Sequence, residues 1–247
     1  MWNTTTGATE AGSFTGHTDL VFSVAFLLDG HHIVSGSEDR TICVWNATTG
    51  VTEAGPFTGH MDWVLSVAFL PDGHRIVLGS CNHIIRVWNA TTGEIEAGPF
   101  TGHTNSIWSV AFLLDGHRII SGSHDQTIRV WNATMGEMEA AAFTGQTASV
   151  WYVAFLPDGQ CIVSGSSDGT IRVWNATTGE TETGPFTGHT SPVWSVAFLP
   201  DGHHIISGSD DRTIRVWNAT MGVTEVNPFT GHTDSVLSCN TTTGIIV

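Results

Sequence analysis

The chain has 247 residues, 40% hydrophobic and 13% charged, a balance that allows a sizeable buried core and excludes a disordered polymer. Its formal charge is -15, from 23 acidic residues against eight arginines and no lysine, which disfavours binding to nucleic acid or an anionic membrane. No apolar run approaches the roughly 18 residues of a membrane-spanning helix.

The chain opens Met1-Trp2-Asn3-Thr4, without the charged and apolar regions of a secretory leader. Cys43, Cys81, Cys161 and Cys239 lie far apart with no C-x-x-C spacing, so they read as free thiols of a reducing, cytoplasmic compartment. N-x-T sequons stand at Asn3, Asn46, Asn89, Asn132, Asn175, Asn218 and Asn240; six of them follow from one repeated turn, and they are expected to go unused.

Residues 1–17 read as the end of one strand, a further strand and a Gly-His pair. Val21 to Phe26 (VFSVAF) is a β-rich run closed by the turn residues Asp29-Gly30. His32 to Ser35 is a second strand ended by Gly36-Ser37-Glu38-Asp39. Thr41 to Trp45 is a third, ended by Asn46-Ala47-Thr48-Thr49-Gly50. Val51 to Phe57 is a weaker fourth. This fourth segment is polar and carries proline in four repeats (Pro56, Pro99, Pro185, Pro228), which marks an edge strand because proline donates nothing to a ladder. Arg86, Arg129, Arg172 and Arg215 of the third strand are expected to face the glutamates of the fourth. Residues 231–247 supply a Gly-His, a first strand (Val236 to Cys239), a turn and the apolar end Ile245-Ile246-Val247.

The whole pattern repeats every 43 residues. Trp2, Trp45, Trp88, Trp131, Trp174 and Trp217 keep that step, as do His17, His60, His103, Gln146, His189 and His232, with no insertion or deletion to break the phase. The unit GHTDLVFSVAFLLDGHHIVSGSEDRTICVWN resembles the WD-repeat family, with Asn in place of Asp after every repeat tryptophan. The resemblance implies an all-β propeller of four-stranded blades. Six blades are expected, the last assembled from both chain ends; an arc closed by a second chain through strand exchange, or a fragment of a longer array, is the alternative. The regularity of the repeats is similar to that of the arrays in fungal NACHT-type signalling proteins.

The resemblance also implies a network linking the strands of each blade. It comprises His17, Ser35, Asp39 and Trp45 in the first, His103, Ser121, Asp125 and Trp131 in the third, and His189, Ser207, Asp211 and Trp217 in the fifth. Such Ser-His-Asp sets imitate catalytic triads, but one per blade, buried and without a pocket, reads as structure, so no enzyme is expected. The second blade has Leu78 and Asn82 at two of the positions. The fourth has Gln146 for His but keeps Ser164, Asp168 and Trp174. These two blades are expected to be the weakest. The remaining histidines mostly repeat in Asp-Gly-His turns spread round a rim and do not converge, so neither metal nor cofactor is expected.

Positions that differ between repeats are the candidate binding residues: Asp19, Asp62, Asn105, Ser191 and Asp234 before strand one, Glu38, His124, Ser167 and Asp210 between strands two and three, and Trp63 nearby. A further position reads Phe22, Leu65, Trp108, Trp151, Trp194, Leu237. In WD-repeat proteins such loops form the face that takes partners, which implies a scaffold for a protein or peptide, basic in view of the acids. A lectin-like propeller is the second reading, although the variable positions offer no repeated polar constellation for a sugar.

Overall fold

The computed structural model describes residues 13–238 apart from 71, 114, 140 and 157. Among them every regular element is a β-strand, and the strands form five antiparallel sheets, one per repeat. The first blade comprises β1 (Val21–Phe26), β2 (His32–Ser37), β3 (Ile42–Asn46) and β4 (Thr52–Phe57), paired in chain order. The second comprises β5 (Val64–Phe69), β6 (Arg75–Ser80), β7 (Ile85–Asn89) and β8 (Ile95–Phe100). The third has β9 (Ile107–Phe112), β10 (Arg118–Ser123) and β11 (Ile128–Asn132). The fourth has β12 (Val150–Phe155), β13 (Cys161–Ser166), β14 (Ile171–Asn175) and β15 (Thr181–Phe186), and the fifth β16 (Val193–Phe198), β17 (His204–Ser209) and β18 (Ile214–Asn218). The first-strand boundaries match the sequence reading, and the second strand runs two residues further, through Gly36 and Ser37.

The third and fifth blades lack a regular outer strand and keep only the bridges Ile128–Phe143, Trp131–Met138, Ile214–Phe229 and Trp217–Thr224. The three blades with a regular outer strand share a glycine that these two lack. In β4 the chain passes Gly55 at φ 100°, where a Cβ would sit 2.6 Å from the Ile42 carbonyl oxygen. Gly98 and Gly184 do the same in β8 and β15, but Ala141 and Asn227 occupy the equivalent places, so the outer segment cannot close on its neighbour in the same way.

Blades join through their inner strands, β1, β5, β9, β12 and β16 packing side by side in that order. Each junction sets two aliphatic side chains of one blade on the strand-two glycine of the blade before. Val64 and Val67 lie on Gly36, and Ile107 and Val110 on Gly79, where an added Cβ would meet them at 2.5–3.0 Å. Serine hydroxyls pin the same seams: Ser23 accepts the Val67 N–H (3.1 Å), Ser66 that of Val110 (3.0 Å) and Ser109 that of Val153 (3.1 Å).

The first blade has no such neighbour among the described residues. Val21 is 46% and Val24 64% exposed, whereas Val64 and Val67 are at 0% and 5%. At the far end, Val236 occupies the register position of Val21, packs on Ile206 and Ile214 and donates its N–H to the Ser209 carbonyl (3.0 Å). The expected sixth blade rests largely on residues 1–12 and 239–247, which lie outside the described residues.

Candidate functional site

One face of the blades is built from two loops, the one entering the inner strand and the β2–β3 turn or its equivalent. The loops are tied to each other in every blade: the N–H groups of Glu38, Cys81, His124, Ser167 and Asp210 donate to the carbonyls of Leu20, Trp63, Ser106, Ser149 and Pro192 at 2.8–3.0 Å. All ten variable residues therefore stand on this one face, in two linked series. Several also brace their own loop: Asp19, Asp62, Asn105 and Asp234 each accept the N–H of the next residue at 2.8–2.9 Å. Ser235 donates to the Asp210 carboxylate, and Ser191 offers its carbonyl to the Ser209 hydroxyl (3.2 Å). Asp19, Asp210 and Asp234 remain exposed; Glu38 and Asp62 are half-buried.

Beneath these loops runs the polar network. In the first blade His17 Nδ1–H donates to Asp39 (2.9 Å), the Ser35 hydroxyl donates to His17 Nε2 (2.7 Å), and the Trp45 indole N–H donates to the same hydroxyl oxygen (2.7 Å). His103, Ser121, Asp125 and Trp131 repeat it at 2.7–2.8 Å, as do His189, Ser207, Asp211 and Trp217. A threonine adds a fifth member, Thr41 Oγ1 donating to Asp39 at 2.6 Å, with Thr127, Thr170 and Thr213 in the same role. Burial alone would raise the Asp211 carboxyl, but bonds from Thr213, His189 and the Thr190 N–H outweigh it and hold it down at about 2. Asp39 and Asp125 are likewise held well below the usual carboxylate range. Burial lowers His103 and His189 despite their carboxylate partners. Ser121 and Ser207 are fully buried, with both hydroxyl functions engaged, whereas His17, Ser35 and Trp45 of the first blade line a cavity beside Val21 and Val24.

The two irregular blades behave differently from each other. In the fourth, Gln146 donates through Nε2 to Ser164 (3.0 Å) and accepts from Thr170 (3.1 Å), so its amide replaces the imidazole and Trp174 keeps its bond to Ser164 (2.8 Å). The amide thus keeps the links to Ser164 and Trp174 and meets Asp168 through Thr170 in place of the direct imidazole–carboxylate bond. In the second, Leu78, Asn82 and Ile84 supply neither hydroxyl nor carboxylate. Both ring nitrogens of the buried His60 and the Trp88 indole N–H have no partner. Burial, assisted by the Arg86 charge, lowers the His60 imidazole to about 4.

Aromatic side chains converge on the inner-strand end of the variable face. Phe22 stacks on Trp63 at 5.8 Å and meets Trp108 edge-on at 6.4 Å, which shows the inner strands curving toward one another. Trp108 touches Trp151 (4.7 Å between centroids) and Trp151 touches Trp194 (4.3 Å). His124 lies against both Trp108 (5.3 Å) and Trp151 (4.7 Å). The Trp151 N–H donates to Ser167 Oγ, bringing two variable positions of one blade together. The three tryptophans stood out in the sequence as one varying register position, but their mutual contact depends on the curvature of the inner strands.

The opposite face is uniform. Its Asp-Gly-His or Asp-Gly-Gln turns are tied to the alanine after the repeat asparagine, as in Ala47 N–H to His31 carbonyl (2.7 Å) and Ala176 N–H to Gln160 carbonyl (2.8 Å). The asparagine itself explains the missing aspartate. Asn89 Oδ1 accepts the N–H groups of Thr91 and Thr92, while Nδ2 donates to Glu96 at 2.8 Å, and the other four blades repeat this. The fourth-segment glutamate is thus paired with asparagine, not with the third-strand arginine as expected. Arg172 and Arg215 lie over the Trp174 and Trp217 rings at 5.9–6.0 Å, Arg129 reaches Met138 Sδ, and Arg86 donates to the Gly59 carbonyl. Among the described residues no group of three or more histidine, cysteine, aspartate or glutamate side chains converges as a metal site would require.

The family described as "WD domain, G-beta repeat" matches residues 8–46, 52–89, 96–132, 139–175 and 180–218, one match for each blade. A search of curated proteins gives no match. With five matched repeats over most of its length, five antiparallel sheets and the histidine–serine–tryptophan network beneath their loops, the chain belongs to the WD-repeat family.

Proposed function

We propose that the chain is a non-catalytic binding module that holds a protein or peptide on its variable loop face. The observation that carries this reading is the asymmetry of the two faces. Residues that differ from blade to blade are gathered on hydrogen-bonded loops beside an aromatic cluster, while the other face presents an Asp-Gly-His turn in four blades and Asp-Gly-Gln in one. WD-repeat proteins commonly serve as interaction scaffolds, and loops fixed on a rigid frame lose little entropy on binding. The acids Asp19, Glu38, Asp62, Asp210 and Asp234 favour a basic partner, attracted less strongly as salt screens them. The finer reading is a single-chain ring in the cytoplasm, closed by a sixth blade from both ends, acting as the sensor part of a larger signalling protein of the fungal NACHT type. Support for it comes from the unbroken 43-residue phase, the free thiols of Cys43, Cys81 and Cys161, and Val236 seated at the inner-strand register.

The test is a capture experiment with the wild type beside a variant carrying Asp19→Asn, Glu38→Gln, Asp62→Asn and Asp210→Asn. A partner recovered by the wild type should be lost by the variant while the melting temperature barely moves. A partner that survives these changes but is lost when the Asp-Gly-His turns are altered would place binding on the other face.

A further inference from the structure

We propose that the cluster of Trp108, Trp151, Trp194 and His124 is a seat for one arginine side chain of a bound peptide, together with the peptide's neighbouring main-chain carbonyls. The proposal rests on the loop-face reading above and specifies what that face grips. The first observation is a local excess of unmet hydrogen bonding. Trp108 Nε1, Trp194 Nε1 and His124 Nε2 are all buried and all without a partner, whereas the Trp151 N–H between them has Ser167. Folded proteins leave few buried polar atoms unpaired, and three within one cluster of touching rings mark a place where an outside group is wanted. A ring that turns to admit a peptide gives each indole N–H a carbonyl to donate to.

The second observation is shape. Ring centroids 4.3–5.3 Å apart are in contact, so the cluster encloses no hollow for a tetrahedral ammonium. It offers half-buried indole surfaces at the mouth, and a planar guanidinium stacks on such a surface. The third observation is charge. Five carboxylates (Asp19, Glu38, Asp62, Asp210, Asp234) share the face with two arginines, Arg40 and Arg212 on its turns; of the five, Asp210 stands on the blade of Trp194, and the others bias the face as a whole toward a cation. Burial lowers the His124 imidazole, which favours its neutral form, and the unpaired Nε2 is placed to accept a guanidinium N–H.

The probe is the capped tripeptide acetyl-Gly-Arg-Gly-amide, titrated into 15N-labelled protein while the indole N–H signals are followed. Trp108→Phe and Trp194→Phe identify two of those signals and remove the donors while keeping an aromatic face. Arginine peptide should move the Trp108, Trp151 and Trp194 signals, and its citrulline isostere, neutral but of the same shape, should bind about tenfold more weakly. Trp151→Phe, which preserves packing, should weaken binding without lowering the melting temperature by more than a few degrees. Equal binding of the citrulline peptide, preference for the lysine peptide, or no movement of these signals at millimolar peptide would each overturn the proposal. If one of those results came with a partner that is still lost in the quadruple acid variant, the loop-face reading would stand and only the arginine seat would fall.

Discussion

The indole of Trp88 and the imidazole of His60 lie 6.0 Å apart in the second blade, as the equivalent pairs do elsewhere, but no hydroxyl joins them because Leu78 fills the serine position. Burial also lowers His103 and His189, but His60 has no carboxylate to offset it, so the second blade is the most acid-sensitive. His60 titrates near its ordinary 6.5 when unfolded and at about 4 when folded, so between those pH values the unfolded chain binds more protons. Stability is therefore full above pH 6.5 and falls by about 3 kcal/mol as the pH drops to 4. The network aspartates act in a lower window: Asp211, held at about 2, stabilises the fold above its ordinary 3.8 and loses that contribution as the pH falls through 2. Restoring the blade by Leu78→Ser with Asn82→Asp should raise stability at pH 7 by about 1–2 kcal/mol, by giving His60 and Trp88 their partners. It should also flatten the decline between pH 6.5 and 4, since a carboxylate beside His60 raises its affinity for a proton. Urea titrations at pH 7 and pH 5 measure both effects. A double variant less stable than the parent at pH 7 would show that the blade has repacked around Leu78.

At the scale of the strand and its turns, the repeat asparagine couples two elements that a simple propensity reading treats separately. Asn89 ends β7, caps the turn through Oδ1 and reaches β8 through its bond to Glu96. An aspartate keeps the two turn bonds but loses the donor and sets one carboxylate against another. Asn89→Asp should thus cost about 1 kcal/mol at pH 7, and Glu96→Gln in the same chain should recover most of it, because the glutamine amide donates to the new carboxylate. No recovery in the double variant, measured by thermal melts, would mean that the turn and not the Glu96 bond sets the preference. Strand positions were legible in the sequence because alternation and turn residues recur in phase. The Asn–Glu bond was not, since the arginines beside it offered a more obvious charge partner. The missing outer strands of blades three and five follow from Ala141 and Asn227, a signal that acquires meaning only once the φ of Gly55 and its closeness to the Ile42 carbonyl are known. The contact between Trp108, Trp151 and Trp194 likewise required the curvature of successive inner strands, which a linear pattern does not state.

Across the whole molecule, the unequal treatment of chemically equal positions is the main energetic feature. Val64 and Val67 are covered by the first blade, and their counterparts in β1, Val21 and Val24, are exposed beside Phe26 at 52% and Leu28 at 62%. Burial of a valine is worth about 1.5–3 kcal/mol, so covering β1 is a strong incentive for a further strand-two segment to dock there. A single-chain ring supplies that cover from its own ends. On this proposal Val24→Glu places a carboxylate in a blade seam and should destabilise by about 3 kcal/mol or more, close to the effect of Val67→Glu, in a protein that stays monomeric by light scattering. Two other results separate the alternatives. A Val24→Glu variant as stable as the wild type means that β1 faces solvent and the ring is open. A wild type that is dimeric, with Val24→Glu converting it to a monomer, means that the seam is closed by a second copy through exchanged strands.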